Sequence, residues 1–320
     1  MSFWNEQSVA ITGGAGFLGS YLVDECVAAG ARVTAIDNLS SGTWKRITHH
    51  GDEVRRIECD VRERQFVDRI AGHSVILNAA GLASGLCAGP TRHDLLFDGN
   101  LAIARAVRAA ALSADVEHYL EISSSCVYPD DAPVPTPEME LEDTQPEAVN
   151  RGYGSAKRRI EAEIQDVAAQ HPGFNLTVVR PFNLFGTRDW GLRTHANVIP
   201  ALIQRFMQSD REILVWGDGK QTRSFTHAKD AARAMLQLLE HHPNTGPVNI
   251  GRNAEISMQE LAEAINRMGG FEKEITFDPS KPTGASRKAC DPARLLKLLP
   301  DFTFNYDTKA GLEEMVREYR

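Results

Sequence analysis

The sequence predicts an α/β fold in which helices cover both faces of a doubly wound parallel sheet, followed by a smaller C-terminal lobe. Three observations lead to this fold class. Short apolar and β-branched runs alternate with longer segments of helical period through the first half of the chain. A glycine-rich turn follows the first run, and the alternation ends near Pro181. Because parallel strands need crossover connections, the alternating half forms the sheet.

Composition narrows the class of protein further. The chain has 320 residues, 42% of them hydrophobic and 24% charged, so it can fold around a core that holds a sizeable ligand pocket. A net charge of -8 without a long basic run argues against a nucleic-acid partner. No basic leader precedes an apolar stretch, and glycines interrupt the longest uncharged segment, so we expect a cytoplasmic protein with no membrane partner. The five cysteines form no CxxC pair, so we expect neither a disulfide framework nor a metal site.

The individual elements follow from these runs. Strands are predicted at Ser8–Thr12, Arg32–Asp37, Val54–Glu58, Ser74–Asn78, His118–Ser123 and Thr177–Pro181. Helices are predicted at Gly19–Ala29, Arg64–Ile70, Asn100–Ser113 and Tyr153–Ala169 and, after Pro181, at Val198–Met207, Asp230–Leu239, Ser257–Met268 and Pro292–Leu299, with a strand at Glu212–Val215. The Pro-rich stretch 130–146 is predicted to be a surface loop. We place a first domain at residues 1–181 and a lobe mainly at 182–320, from which some segments return to the first domain.

A Gly-x-x-Gly-x-x-Gly turn, with Gly13, Gly16 and Gly19, links the first strand to the first helix. Such glycines let the backbone approach a pyrophosphate, and the helix N-terminus attracts its negative charge. Asp37 ends the next strand, where a carboxylate would bind adenosine ribose hydroxyls and repel a 2′-phosphate. The carboxylate could instead only cap a turn, but strand, glycines and acid together predict a Rossmann-type dinucleotide site that prefers NAD to NADP. Asp60, after the third strand, could hold the adenine amino group.

Tyr153 and Lys157 are four residues apart in a predicted helix, so their side chains share one face. Ser124 follows a predicted strand whose carboxyl end would lie beside the same crevice. With these motifs the chain resembles the extended short-chain dehydrogenases/reductases, in the branch of nucleotide-sugar epimerases and dehydratases, over nearly its whole length. The resemblance implies that Tyr153 is the base and that Lys157 lowers its pKa and holds the nicotinamide ribose. It also implies that Ser124 hydrogen-bonds the reacting oxygen.

The resemblance also implies a set of ligands and contacts. It implies a nucleotide-diphosphate sugar as the substrate and a homodimer formed through the helices Asn100–Ser113 and Tyr153–Ala169. The expected NAD-binding residues are Gly13, Gly16, Phe17, Leu18, Gly19, Asp37, Asn38, Asp60, Val61, Ala79, Ala80, Tyr153, Lys157 and Pro181. The expected substrate-binding residues are Ser125, Asn183, Asn197, Val198, Arg205, Trp216, Arg223 and Lys281. Arginines offer forked donors to phosphates, although Arg223 and Lys281 could also be solvated surface residues.

Cys126 is the most informative cysteine. It lies in Ser-Ser-Cys-Val-Tyr-Pro, which resembles segments of GDP-fucose synthases and GDP-mannose 3,5-epimerases. In those families the cysteine moves a proton at a sugar carbon next to a C4 ketone. A C4 ketone acidifies the C5 proton, and a thiolate of lowered pKa is a competent base for it. We therefore expect Cys126 to be catalytic together with Ser124, Tyr153 and Lys157.

The sequence departs from these families at three points. Asn197 occupies the position of their second acid/base, and an amide cannot exchange a proton at neutral pH, so His195 would have to substitute. Fucose synthases reduce with NADPH, which Asp37 disfavours. Sugar 4,6-dehydratases usually carry Thr-Asp-Glu where this chain has Ser-Ser-Cys.

These departures favour one reaction and leave others open. The favoured reaction is NAD-dependent oxidation at C4 of a nucleotide-activated hexose, deprotonation of C5 by Cys126 and loss of the 6-hydroxyl, which could give a 5,6-ene sugar. The alternatives are an epimerase acting at C5, C3 or C4, a reductase that uses NADPH as GDP-fucose synthases do, and a non-catalytic NAD-sensing protein.

Overall fold

The computed structural model describes residues 3–82, 92–189, 197–281 and 283–319. Its strands are β1 (Ser8–Thr12), β2 (Arg32–Asp37), β3 (Val54–Glu58), β4 (Val75–Asn78), β5 (His118–Ile122), β6 (Asn175–Pro181), β7 (Leu184–Phe185), β8 (Glu212–Trp216), β9 (Thr222–Ser224), β10 (Thr226–His227), β11 (Val248–Ile250), β12 (Glu255–Ser257), β13 (Glu274–Asp278) and β14 (Arg287–Lys288). Its α-helices are α1 (Phe17–Ala28), α2 (Phe66–Ile70), α3 (His93–Ser113), α4 (Arg151–Gln170), α5 (Val198–Gln208), α6 (Ala228–His241), α7 (Met258–Gly269), α8 (Ala293–Leu298) and α9 (Thr308–Tyr319). Short 3-10 segments occur at Phe3–Glu6, Trp44–Glu53, Ser125–Val127 and Ala148–Asn150. Across the described ranges, no helix is both long and apolar enough to cross a membrane.

Seven strands form one parallel sheet in the order β11-β6-β5-β4-β1-β2-β3. The strand order reverses at β1, which lies between β2 and β4. In such sheets a crevice opens at the carboxyl ends of the strands beside the reversal, and ligands bind there. The predicted doubly wound α/β fold is confirmed.

Both faces of the sheet are buried, as a parallel sheet between helices requires. Val9 and Ile11 of β1 belong to the core cluster shared with α1 and α6, whereas Ala10, which points the other way, belongs to the cluster shared with α2, α3 and α4. The apolar side chains of β1 therefore stabilise both helical layers and fix the position of the turn that follows.

The C-terminal lobe has a core of its own. Apolar side chains of α5, α7 and α9 pack around Ile213 and Val215 of β8. β8 pairs in parallel with β13, and β9 lies between β12 and β14. By contrast, α6, β11 and α8 pack with the large sheet although they follow residue 181, and β11 pairs in parallel with β6.

The predicted and observed elements differ mainly at their ends. β1, β2 and β3 have the predicted bounds, but α3 begins at His93 instead of Asn100. Gly99 interrupts the helical pattern in the sequence, while Leu96 is buried and extends the packed face of the helix. β8 was predicted at Glu212–Val215 and extends to Trp216, whereas the strands of two or three residues after Pro181 were not predicted, because so few residues show no periodicity. β13 and α9 were not predicted either.

Candidate active site

A cavity of about 710 Å³ is lined both by the carboxyl ends of the sheet strands and by the C-terminal lobe. This volume suits a large organic ligand. The predicted site residues in its wall are Gly13, Gly16, Phe17, Leu18, Asp37, Asn38, Asp60, Val61, Ala79, Ala80, Ser124, Ser125, Cys126, Tyr153, Lys157, Pro181, Asn183, Asn197, Val198, Arg205, Trp216 and Arg223. Within the described ranges, Gly19 and Lys281 are not part of the wall. His195 lies outside the described residues.

The glycine turn brings the backbone of β1 and α1 to the cavity. Gly13 has a φ of +68°, and a Cβ atom there would lie 2.6 Å from the carbonyl oxygen of Ala79. Gly16 is the N-cap of α1, and it lines the cavity together with Gly13 and Phe17. A Cβ atom at Gly19 would lie 2.0 Å from the carbonyl oxygen of Gly13, so Gly19 allows the helix to pack on the turn and does not contact the cavity. At Gly13 and Gly16 the wall beside the N-terminus of α1 is therefore backbone, which suits a phosphate group.

Asp37 lies at the end of β2 with only 8% of its surface exposed. Its carboxylate accepts hydrogen bonds from the backbone N–H of Ala15, at 3.1 Å, and of Leu39, at 2.8 Å. Both bonds hold the carboxylate between the glycine turn and the chain that follows β2. The acid that the sequence assigned to the ribose is thus fixed beside the turn assigned to the pyrophosphate.

The Asp60 carboxylate is hydrogen-bonded by neighbouring side chains. Its two carboxylate oxygens accept Nε of Arg62 at 2.9 Å and Nη2 of Arg62 at 2.6 Å, and Asn38 donates its Nδ2 at 3.1 Å. These hydrogen bonds, of which those from Arg62 have the largest effect, hold the pKa of Asp60 well below its usual range. Arg62 also lines the cavity, and the sequence analysis did not identify it.

The group around Tyr153 joins α4 to the end of β5. Nζ of Lys157 donates to the carbonyl oxygen of Ile122 at 2.6 Å and lies 5.8 Å from the centre of the Tyr153 ring. The Ser124 hydroxyl lies near the Tyr153 phenol and lowers its pKa. Burial raises the pKa of Tyr153 above its ordinary value, while the Lys157 charge and the Ser124 hydroxyl oppose that rise. Ser124, Tyr153 and Lys157 are thus brought together in one wall of the cavity.

A buried carboxylate lies behind this group. Glu121 of β5 is fully buried, and its Oε1 is 3.5 Å from Nζ of Lys157. Its Oε2 accepts hydrogen bonds from the hydroxyl of Tyr119 at 2.8 Å and from Nδ2 of Asn78 at 2.9 Å. The sequence analysis missed Glu121; its only signal was a charged residue within an otherwise apolar strand.

Cys126 lies in the 3-10 turn after β5, and its N–H donates to Oγ of Ser124 at 3.1 Å. Burial and then the nearby Glu147 charge raise the pKa of the Cys126 thiol to about 12, although Lys288 opposes this. Both Cys126 and Glu147 line the cavity, and the Glu147 carboxylate lies close enough to the thiol to raise its pKa. In this structure Cys126 is therefore a neutral thiol at neutral pH.

Glu147 and Lys288 form an ion pair that the sequence analysis did not predict. Nζ of Lys288 is 2.5 Å from Oε2 of Glu147, with the side chains 16% and 10% exposed, and Nδ2 of Asn150 donates to the other carboxylate oxygen. Although burial opposes ionisation, the Lys288 charge and these hydrogen bonds lower the pKa of Glu147. Burial likewise opposes the Lys288 charge, but Cys126 and Glu147 outweigh it and raise the pKa of Lys288. Both groups are therefore charged and line the same cavity as Tyr153.

The C-terminal lobe supplies the remaining polar wall. The guanidinium of Arg205 lies 5.6 Å from the centre of the Trp216 ring and donates to the carbonyl oxygen of Leu214. Arg223 donates to the carbonyl oxygens of Thr222 and Thr283, and burial lowers its pKa. These two cations in one wall offer an anchor for a phosphorylated ligand.

Two asparagines predicted to bind substrate are held by other protein groups. Asn183 has a φ of +38° and donates Nδ2 to the carbonyl oxygen of Ser224 at 2.9 Å. Asn197 precedes α5 and donates Nδ2 to Asp189 at 2.8 Å. Both asparagines line the cavity, but a carboxamide is not a proton-transfer group at neutral pH.

Lys281, which the resemblance assigns to the substrate, does not line this cavity. Lys281 lies on an exposed turn after β13, where its N–H donates to the carbonyl oxygen of Asp278. Thr283, Gly284, Ala285 and then Lys288 line the cavity instead. Lys288 does so because β14 pairs with β9 and places Lys288 beside Arg223.

Comparisons with known proteins cover both lobes. The model of the NAD dependent epimerase/dehydratase family matches residues 9–251. GDP-L-fucose synthase 1 of Arabidopsis thaliana is 34% identical over 227 residues, which are 70% of this chain and 70% of that protein. The structure of a UDP-N-acetylglucosamine 4-epimerase from Methanobrevibacter ruminantium, in complex with UDP-N-acetylmuramic acid, is similar with a TM-score of 0.85 at 25% identity, covering 98% of each chain. A UDP-glucose 4-epimerase from Thermotoga maritima has the same fold, with a TM-score of 0.85 at 23% identity and 98% of each chain covered.

Proposed function

Since the chain belongs to the NAD dependent epimerase/dehydratase family, we propose that it is an NAD-dependent dehydratase of a nucleoside-diphospho-hexose. In the proposed reaction the C4 hydroxyl is oxidised to a ketone, Cys126 removes the C5 proton and the 6-hydroxyl leaves as water. The product is a 5,6-ene sugar or the corresponding 6-deoxy-4-ketose, depending on the carbon to which hydride returns.

The residues of the glycine turn fit the cofactor. Gly13 and Gly16 leave a wall of bare backbone at the N-terminus of α1, which would hold the pyrophosphate. Asp37 would bind the adenosine ribose, and its charge would repel the 2′-phosphate of NADP. Bound NAD supplies the reversible hydride acceptor that oxidation at C4 needs.

Tyr153 acts on the O4 proton in this proposal. A buried phenol is a poor base at neutral pH, but Lys157 and the Ser124 hydroxyl both stabilise its deprotonated form. Ser124 also orients the sugar oxygen from which Tyr153 takes the proton. Lys157 is fixed by the Ile122 carbonyl, so its charge stays near the phenol when the ligand changes.

One observation favours dehydration over epimerisation. Lys288 pairs with Glu147, both charges act on the Cys126 thiol, and all three residues line the cavity, so they form a single patch of its wall. A sugar ring bound against one patch exposes one face to it, and inversion at C5 or C3 needs a proton delivered to the opposite face. A proton taken at C5 can instead return, on the same side, to the departing 6-hydroxyl.

Mass spectrometry of the products tests this function. The purified protein is incubated with NAD and with UDP-, GDP- or dTDP-hexoses in deuterated water. We expect a product that is lighter than its substrate by one water for at least one hexose. A product of unchanged composition that carries solvent deuterium would establish an epimerase and overturn the proposal. Stoichiometric consumption of added NADPH would instead establish a reductase.

The assembly is a separate part of the proposal. We propose a homodimer formed through the exposed faces of α3 and α4. Leu95 of α3 is 57% exposed and would be covered in such a dimer. Light scattering should give twice the mass of one chain, and Leu95→Glu should shift the molecule towards the mass of a single chain. A monomer in the unchanged protein would refute the dimer and leave the proposed chemistry untouched.

A further inference from the structure

The ion pair of Glu147 and Lys288 has no assigned part in the reaction above. Both side chains are largely buried, and two buried charges lose hydration that their attraction only partly replaces. The pair lines the same cavity as Cys126, whose thiol the proposed reaction uses as the C5 base, and both charges act on the pKa of that thiol. This shared wall connects the pair to the chemistry.

A neutral thiol cannot accept a proton before it releases its own. With a pKa of about 12, Cys126 is protonated at neutral pH. Glu147 lines the cavity beside the thiol and is ionised, since its pKa is lowered by Lys288 in spite of burial. Glu147 is therefore placed to accept the thiol proton while the thiol sulfur accepts the C5 proton of the sugar.

Lys288 is placed to supply a proton. Its ammonium lies 2.5 Å from Glu147 and lines the cavity, so it reaches both the carboxylate and the ligand space. Arg223 lies beside Lys288 in the strand register, but a guanidinium keeps its protons at any pH that a protein tolerates. Among these two neighbouring cations, Lys288 is the one that can act as an acid.

We propose that Cys126, Glu147 and Lys288 form a proton circuit that carries the C5 proton of the hexose to the departing 6-hydroxyl. This inference rests on the proposed dehydratase function. As the C5–H bond breaks, its proton passes to Sγ of Cys126 while the thiol proton passes to the Glu147 carboxylate. The electron pair left at C5 forms the C5–C6 double bond, the C6–O bond breaks, and Nζ of Lys288 gives its proton to the leaving oxygen.

The contact between Glu147 and Lys288 then restores the starting state. The protonated carboxyl returns its proton to the neutral amine across the 2.5 Å contact. The thiol, the carboxylate and the ammonium are regenerated, and the sum of the steps is the loss of one water from the sugar. No further proton donor or acceptor is needed for this half of the reaction.

Glu147→Gln tests the acceptor with two readouts that should move in opposite directions. Alkylation of Cys126 by iodoacetamide, followed on the Cys126 peptide with no substrate present, should become faster. The reason is that the variant removes the negative charge that raises the thiol pKa, and each unit of lowered pKa gives about tenfold more thiolate. Water release should fall by about 100-fold or more, because the acceptor is lost. If both rates rise, Cys126 acts as a lone thiolate and the circuit is overturned.

Lys288→Arg tests the donor. Arginine keeps a positive charge beside Glu147 but cannot give up a proton. The variant should still take up solvent deuterium at C5, since Cys126 and Glu147 remain, while water release falls by about 100-fold. Water release at the rate of the unchanged protein would remove Lys288 from the circuit.

Matched controls come from exposed residues of the same regions. Glu142 lies in the loop before Glu147, and Lys297 lies on α8 after β14. Neither residue lines the cavity, so the variants Glu142→Gln and Lys297→Met should leave alkylation and water release unchanged.

The dehydratase hypothesis and the proton circuit can be refuted separately. If the unchanged protein exchanges C5 deuterium but releases no water from any hexose, the dehydratase hypothesis is wrong. Glu147 can still be the proton acceptor in that case, and a slower C5 deuterium exchange in Glu147→Gln would support this role.

Discussion

The pair of Glu121 and Lys157 gives a quantitative test of how the fold holds its reaction centre. The two charges are 3.5 Å apart, with side chains 0% and 6% exposed. At an effective dielectric constant of about 20, unit charges at this distance attract by roughly 5 kcal/mol, while both ions lose hydration. We therefore expect each charge to be tolerated in the interior mainly because the other is present.

Three variants separate the contribution of each charge to stability from the contribution of their mutual attraction. Lys157→Met leaves a fully buried carboxylate without its counter-charge, and the free energy of unfolding should fall by about 3–5 kcal/mol. Glu121→Gln should cost only about 1–2 kcal/mol, since the Lys157 ammonium still donates to the carbonyl oxygen of Ile122 and reaches the cavity. The double variant carries neither charge, so its loss should be about 2–3 kcal/mol smaller than the sum of the two single losses.

Urea titration followed by circular dichroism measures these free energies. Lys297→Met, at an exposed position of α8, is the control and should change stability by no more than about 0.5 kcal/mol. Losses that add to within about 0.5 kcal/mol would refute the reasoning, because they would mean that the two charges do not stabilise each other.

Three further predictions concern the reaction itself. Tyr153→Phe should slow turnover by about 10²–10⁴-fold, while the dissociation constant for NAD, measured by fluorescence titration, stays unchanged; turnover at the original rate would remove Tyr153 from the reaction. Burial raises the pKa of Tyr153 and the Ser124 hydroxyl opposes that rise, so Ser124→Ala should raise the pKa further and move the acidic limb of the kcat/KM profile to higher pH. A limb that moved to lower pH would contradict this assignment. Asp37→Asn should lower the ratio of the dissociation constants for NADP and NAD by about tenfold, because it removes a charge that repels the 2′-phosphate. An unchanged ratio of the two dissociation constants would show that Asp37 does not set the preference.

The sheet was largely predictable because its strands are buried on both faces. The runs at β1 and β2 are apolar or β-branched, and their observed bounds are the predicted ones. Asp37 ends β2, and Ser124 comes shortly after β5. The topology alone therefore brings both residues to one edge of the sheet. Residues placed by a strand end can therefore be found from the sequence.

The pair of Glu147 and Lys288 could not be found in this way. The two residues are 141 positions apart and meet only because β14 joins β9 in the small sheet of the lobe. Glu147 lies in a segment without strand or helical periodicity. The choice between Lys281 and Lys288 as a cavity residue likewise depends on strand pairing, since only Lys288 belongs to a strand.

The edge strand β11 has a consequence for how the protein is made. β11 comes after much of the C-terminal lobe in the chain, yet it covers the edge of β6, and α6 and α8 complete the same core. During synthesis the β6 edge therefore stays open until residue 250 has left the ribosome, with its backbone N–H and C=O groups available to other chains. A fragment ending at Pro181 should consequently aggregate, and native assembly of the first domain must await nearly the whole polypeptide.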